Sequence, residues 1–169
     1  TQDPIEAAEI AAELDRLNEY RRGIEGGVQA EAEALLERQG NRAVAVIAGV
    51  GWHPGVIGIV AGRIKEKAGR PAIVIALDEA GVGKGSGRSI GGVDLGAAVL
   101  AAKDSGLLVA GGGHAMAAGL TVAADRIDAL AEFLDERLAD AVAPARDDRA
   151  LLTDAVLAPA GVNPDFVPA

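Results

Sequence analysis

Two short, almost unbroken apolar runs, residues 43–50 and 72–77, flank a segment in which Val56, Val60 and Ile64 recur at helical spacing. Runs of this length match buried strands, while the spacing between them fits a helix with one apolar stripe. Gly69 supplies a helix stop and Arg70-Pro71 a turn, so the order reads strand, helix, strand. The alternation continues. Asp78-Glu79-Ala80-Gly81 turns the chain into a strand over 82–89, and Asp94 caps a helix that runs through Lys103 and stops at Gly106. A glycine-dense segment, residues 107–119, leads to a short strand at 120–122. A helix over 125–142 then aligns Ile127, Leu130, Leu134 and Leu138 on one face until Pro144 closes it. Strands interleaved with helices predict an α/β fold, a small sheet covered by helices.

Ahead of this unit, Asp3-Pro4-Ile5-Glu6 is a helix start, with Asp3 as cap and Pro4 at the first helical position. Ile10, Leu14, Leu17, Ile24, Val28, Ala32 and Leu35 keep helical spacing to about Arg38. Gly23, Gly26 and Gly27 each weaken a helix by roughly 1 kcal/mol relative to alanine, which predicts a kink or break there. The charged outer face suits a connector between domains. The expected organisation is a connector helix over 1–41, an α/β domain over 42–143, and a linker over 144–169 with a strand at 149–157 that begins another domain. A chain opening on Thr1 and ending at Ala169, just after that run, reads as a piece of a longer protein.

With no cysteine among 169 residues, disulfides and thiolate metal sites are excluded. No signal peptide or membrane span opens the chain, so a cytoplasmic protein without a membrane partner is expected. The net charge of −9 argues against a nucleic-acid partner until it is divided. Residues 1–41 hold four basic and ten acidic side chains, residues 42–91 seven and three, and residues 92–169 five and twelve. The one net-positive stretch also carries most of the glycine-rich turns, so an acidic body presents a basic site.

Three motifs bear chemistry. In Val82-Gly83-Lys84-Gly85-Ser86-Gly87-Arg88-Ser89, the strand period of two puts Lys84, Ser86 and Arg88 on one face and glycines on the other. One face offers donors for a phosphate; the other admits something against bare backbone. The competing reading is an exposed edge strand guarded by its cations. In Gly111-Gly112-Gly113-His114-Ala115-Met116-Ala117-Ala118-Gly119, three glycines free backbone N–H groups to converge on an anion, with His114 placed to donate to it. Gly51-Trp52-His53-Pro54-Gly55 joins a strand to a helix, where α/β folds build sites; Trp52 packs and His53 faces a ligand, or both are structural. Gly83-Lys84 lacks the following serine or threonine of a phosphate loop, and Gly49-Val50-Gly51 does not complete a dinucleotide fingerprint. Only two histidines occur, neither with a carboxylate at ligand spacing, so no metal ligand or catalytic residue is assigned. At 2% aromatics, a base-stacking platform is not encoded.

Taken together and in order, the 51–61, 83–89 and 111–119 motifs resemble the DHH-associated domain of the RecJ family, bacterial 5′-to-3′ exonucleases specific for single-stranded DNA. The resemblance covers residues 42–142. It implies a role in DNA repair and recombination, with manganese or magnesium held by an Asp-His-His domain absent from this chain, which itself needs no cofactor and is inactive alone. It further implies that Ser86 and Arg88, beside Lys84, bind phosphate at the 5′ end of single-stranded DNA, that Gly111, Gly112, Gly113, His114 and His53 close the cleft, and that the tail enters an OB-like DNA-binding domain. Helicase or single-strand-binding partners are not specified. Two alternatives stay open: a phosphodiesterase of the same superfamily acting on oligoribonucleotides or cyclic dinucleotides, and a tRNA-binding module like that of alanyl-tRNA synthetases.

Overall fold

The computed structural model describes residues 3–147. Among them, five strands form one mixed sheet: β1 (Ala45–Val50), β2 (Ala72–Leu77), β3 (Val82–Arg88), β4 (Ala110–His114) and β5 (Ala117–Ala123), in the order β1-β2-β3-β5-β4. The first pair is parallel and every other pair antiparallel. α2 (Ile57–Ala68) connects β1 to β2, as the apolar runs predict, and ends on Gly69 at φ 64°. β2 is almost wholly buried, which explains its continuous apolar sequence: both faces are covered.

α1 (Pro4–Arg38) and α2 cover one face over Ala45, Ile47, Ala72, Val74 and Ala76, while α3 (Leu95–Asp104) and α4 (Ile127–Asp147) cover the other over Val44, Val46, Ile73, Ile75, Leu120 and Val122. α2 packs chiefly on β2 and β3, with a smaller contact to β1. On its side of the sheet, β5 and β4 are left open.

The predicted break in α1 does not occur; the helix is continuous through Gly23, Gly26 and Gly27. Tertiary ties just beyond the glycines outweigh their helix penalty. Val28, Ala32 and Leu36 are buried against α2, and Arg63 bonds both Glu25 and Gln29 while Lys67 reaches Glu33 at 2.6 Å. Only this second half of α1 is packed: Ile5, Ile10, Leu14, Leu17 and Tyr20 are exposed.

Two further expectations are corrected. The glycine-dense segment 107–119 is not a loop but a tight hairpin, β4 and β5 paired from Ala110 opposite Thr121 to His114 opposite Ala117. Pro144 does not close the last helix, which begins as a 3₁₀ turn at Ala124–Arg126 and carries Pro144 inside its final turns to Asp147. A proline there removes one N–H bond and crowds the carbonyl four residues back, while Val142 and Ala145 pack the helix on the core. Residues 148–169, with the strand and OB-like start expected there, lie outside the described residues.

Candidate nucleic-acid interface

β3 is the central strand of the five, so the edge-strand reading of its glycine alternation is wrong. Its glycine face meets the core. A Cβ on Gly83 would stand 2.6 Å from Ile75 Cγ2, one on Gly85 2.6 Å from Leu120 Cδ1, and one on Gly87 2.8 Å from Leu95 Cδ2. These glycines let the α3/α4 layer close on the sheet.

Lys84, Ser86 and Arg88 occupy the other face, and α2 begins above them. The Arg88 Nη1 donates to Gly87 O at 2.9 Å and to Ser86 Oγ at 3.2 Å, which leaves the Ser86 hydroxyl hydrogen and the Arg88 Nη2 hydrogens for a ligand. Both side chains reach under the first turn of α2 because residue 58 is glycine: a Cβ there would lie 3.1 Å from Arg88 Nη2 and 3.2 Å from Ser86 Oγ. In that turn the Ile59 N–H already donates to Val56 O at 3.0 Å, so of the groups a helix start leaves without intrahelical partners those of Ile57 and Gly58 remain. A guanidinium, a hydroxyl and a helix N-terminus thus converge on one place, a donor set suited to an anion. Gly58 was not singled out as a site residue. Its signal was a glycine in an otherwise apolar helix start.

The register extends this donor row over the open part of the sheet. Ser86 pairs with Gly119, which pairs with Gly112; Arg88 pairs with Ala117, which pairs with His114. Each row crosses two strand spacings, about 10 Å. A Cβ on Gly112 or Gly119 would meet nothing within 4 Å, so a strip of bare backbone runs beside the donors. The anion-cradling loop expected at 111–114 is corrected accordingly: none of Gly111, Gly112 and Gly113 has positive φ. The fold requires Gly113, where a Cβ would lie 2.3 Å from Ala117 O, and crowds Gly111, where one would approach the Leu108 and Val99 side chains at 3.0 Å. Gly112 alone of the three has no such constraint. His114 is exposed at the end of β4, where Gly96 of α3 runs close beneath its backbone.

The 51–55 turn is divided between structure and site. Trp52 is buried, its ring lies over Gly49, and its Nε1 donates to Glu31 Oε2 of α1 at 2.8 Å. His53 is exposed, and its Nδ1 accepts the Gly55 N–H at 3.0 Å, which leaves Nε2 as the ring donor beside the start of α2. Lys84 bonds Thr121 Oγ1 at 3.2 Å and, with His53, lines a cleft of about 480 Å³. His53, Lys84, Ser86 and Arg88 therefore gather around the α2 N-terminus, and His114 stands across the glycine strip. The Glu31–Trp52 bond escaped the sequence because its partners are 21 positions apart on different elements.

Residues 32–140 match the DHHA1 domain. The chain belongs to the DHHA1 family. The DHHA1 chain is similar to single-stranded-DNA-specific exonuclease RecJ of Bacillus subtilis, with 41% identity over 138 residues that cover 80% of this chain and 17% of the relative. It is 38% identical over 162 residues to the RecJ of Escherichia coli, covering 92% and 28%. Among solved structures, RecJ of Thermus thermophilus in complex with Mg2+ matches with a TM-score of 0.71 at 32% identity, over 83% of this chain and 21% of that one. An exonuclease RecJ bound to manganese matches at 0.69 and 32% identity, over 88% and 36%. This DHHA1 chain thus spans well under half the length of the relatives it matches. Among its described residues, no three histidine or carboxylate side chains gather as a metal-binding cluster.

Proposed function

We propose that this domain grips the 5′-terminal phosphate of single-stranded DNA for a RecJ-type 5′-to-3′ exonuclease acting in cytoplasmic DNA repair and recombination. Manganese or magnesium would be held by another domain of the longer protein, and residues 1–169 alone would hydrolyse nothing. α1 would be the connector, its unpacked half turned toward that domain.

The observation that carries this reading is the convergence of Arg88, Ser86 and the α2 N-terminus beside a strip of sheet that no part of the described chain covers. A terminal phosphate has more charge and more acceptor oxygens than an internal diester, so it uses a guanidinium, a hydroxyl and backbone N–H groups together. The glycine strip through Gly119 and Gly112 lets the following sugar-phosphate chain lie against main chain, and His114 stands at its far side. His53 and Lys84 line the near side.

The test is fluorescence anisotropy with a 5′-phosphorylated single strand at two salt concentrations. Arg88→Ala should weaken binding by roughly 10- to 100-fold, as expected for loss of one or two charge-assisted bonds, and should flatten the salt dependence. Unchanged binding in Arg88→Ala would remove the phosphate site.

A further inference from the structure

On the same face as Ser86 and Arg88, beyond the start of α2, lies the cleft at the carboxyl ends of β1 and β2. One side is the turn carrying His53 and Pro54, the other is the β2–β3 hairpin with Asp78, Glu79 and Val82, and Lys84 stands at the end nearest Ser86. We propose that this cleft receives the nucleobase of the terminal nucleotide and favours bases that carry an exocyclic amino group. The proposal rests on the phosphate reading above.

Position comes first. Lys84 precedes Ser86 by two residues on one strand face, about 7 Å away, so a nucleotide anchored by its phosphate at Ser86 has its base within reach of the cleft. Crevices outside the carboxyl ends of parallel strands are where α/β sheets take ligands, and about 480 Å³ is ample for one base.

The lining fits a flat, mostly apolar group. Val82 is 37% exposed on the cleft, with Ala76 and Pro54 beside it. The nearest aromatic ring, Trp52, is already held by Glu31 and by its contact with Gly49. Base contact here is therefore apolar, not stacking on a free ring.

Charge sets the direction. The far end of the cleft holds two carboxylates, which repel a phosphate, while Lys84 stands at the near end, on the strand that leads to Arg88. Asp78 Oδ1 accepts the Val82 N–H at 2.8 Å, leaving Oδ2 as an acceptor, and Glu79 is exposed. Carboxylates accept from an exocyclic amino group such as that of cytosine, whereas thymine presents an acceptor oxygen at that position and has only its N3–H to donate.

The full chain can be tested with three 5′-phosphorylated oligonucleotides that differ only in the terminal residue: cytidine, thymidine or an abasic sugar. Trp52, the only tryptophan, lines the cleft and reports its occupancy by fluorescence. The terminal cytidine should bind about tenfold tighter than the abasic end, as expected for burying a base against apolar walls, and severalfold tighter than thymidine. Val82→Asp should abolish the difference between cytidine and abasic ends, and Pro54→Asp, at an exposed position in the facing turn, should do the same if Val82→Asp misfolds. Equal affinities that still depend on Arg88 would overturn the base cleft and leave the phosphate site. An affinity for the terminal cytidine that is unchanged in Arg88→Ala would overturn the phosphate reading, and this proposal with it. No binding of any of the three would overturn both.

Discussion

Alanine at Gly112 and at Gly113, tested separately, should part stability from binding at adjacent positions. A Cβ at residue 113 would fall 2.3 Å from Ala117 O and 2.6 Å from Ala118 Cα, both backbone atoms of the paired strand, so relief requires β5 to move. Overpacking against main chain costs typically about 1–3 kcal/mol, and for a chain of this size each kcal/mol is about 2–4 °C in melting temperature. Gly113→Ala should therefore melt roughly 2–12 °C below the parent. At residue 112 no atom lies within 4 Å and φ is not positive, so alanine is tolerated and gains slightly by restricting the unfolded chain, about 0.4–1 kcal/mol. Its methyl group instead projects from the open strip. If the DNA chain lies there, Gly112→Ala should bind a 5′-phosphorylated single strand about tenfold or more weakly, the equivalent of one charge-assisted bond, at an undiminished melting temperature. Scanning calorimetry and anisotropy on both variants decide the matter. A Gly112→Ala melting loss equal to that of Gly113→Ala would refute the open face, and a stable Gly113→Ala variant would refute the hairpin register.

Glu25→Ala removes a buried carboxylate that holds Arg21 at 2.7 Å and also bonds Arg63; because both arginines are about half exposed and resolvate, chemical denaturation should show a loss of only about 1 kcal/mol. The bond from Lys67, and behind it the one from Gln29, holds the Glu33 carboxyl below the ordinary glutamate range. A depressed carboxyl stabilises the fold above its unfolded value and loses that contribution as pH falls through the folded one, so Glu33→Gln should narrow the gap to wild type in acid, read as melting temperature at neutral pH and below pH 4.

How much was legible depended on whether a residue's surroundings are written in a period. β3 was readable because glycine alternates with donors, and a strand converts that alternation into two faces; both proved to be occupied as the pattern implies, one by the core and one beneath α2. The 111–113 run carries no alternation, since glycine has no side chain with which to declare a face, so its sequence does not distinguish the strand found there from a loop. The break expected in α1 failed because helix propensity is local, whereas what Val28 and Ala32 pack against, and the bonds from Arg63 and Lys67, 34 positions from Gln29 and Glu33, are supplied by α2. Pro144 misled for a related reason, because packing of Val142 and Ala145 on the core outweighs one missing bond. The part of Gly58 in the site became visible only once α2 was seen to start directly above Ser86 and Arg88.

The claim that the domain reads a chain end is tested most directly by titration calorimetry with one oligonucleotide in two forms, 5′-phosphorylated and 5′-hydroxyl. The Arg88, Ser86 and α2 donor set predicts that the phosphorylated strand binds at least tenfold tighter, since each charge-assisted bond to the terminal group contributes roughly 1.5–3 kcal/mol, and that Arg88→Ala removes most of the difference. Equal affinities for the two ends would contradict end recognition and leave only a basic cleft that holds internal phosphates.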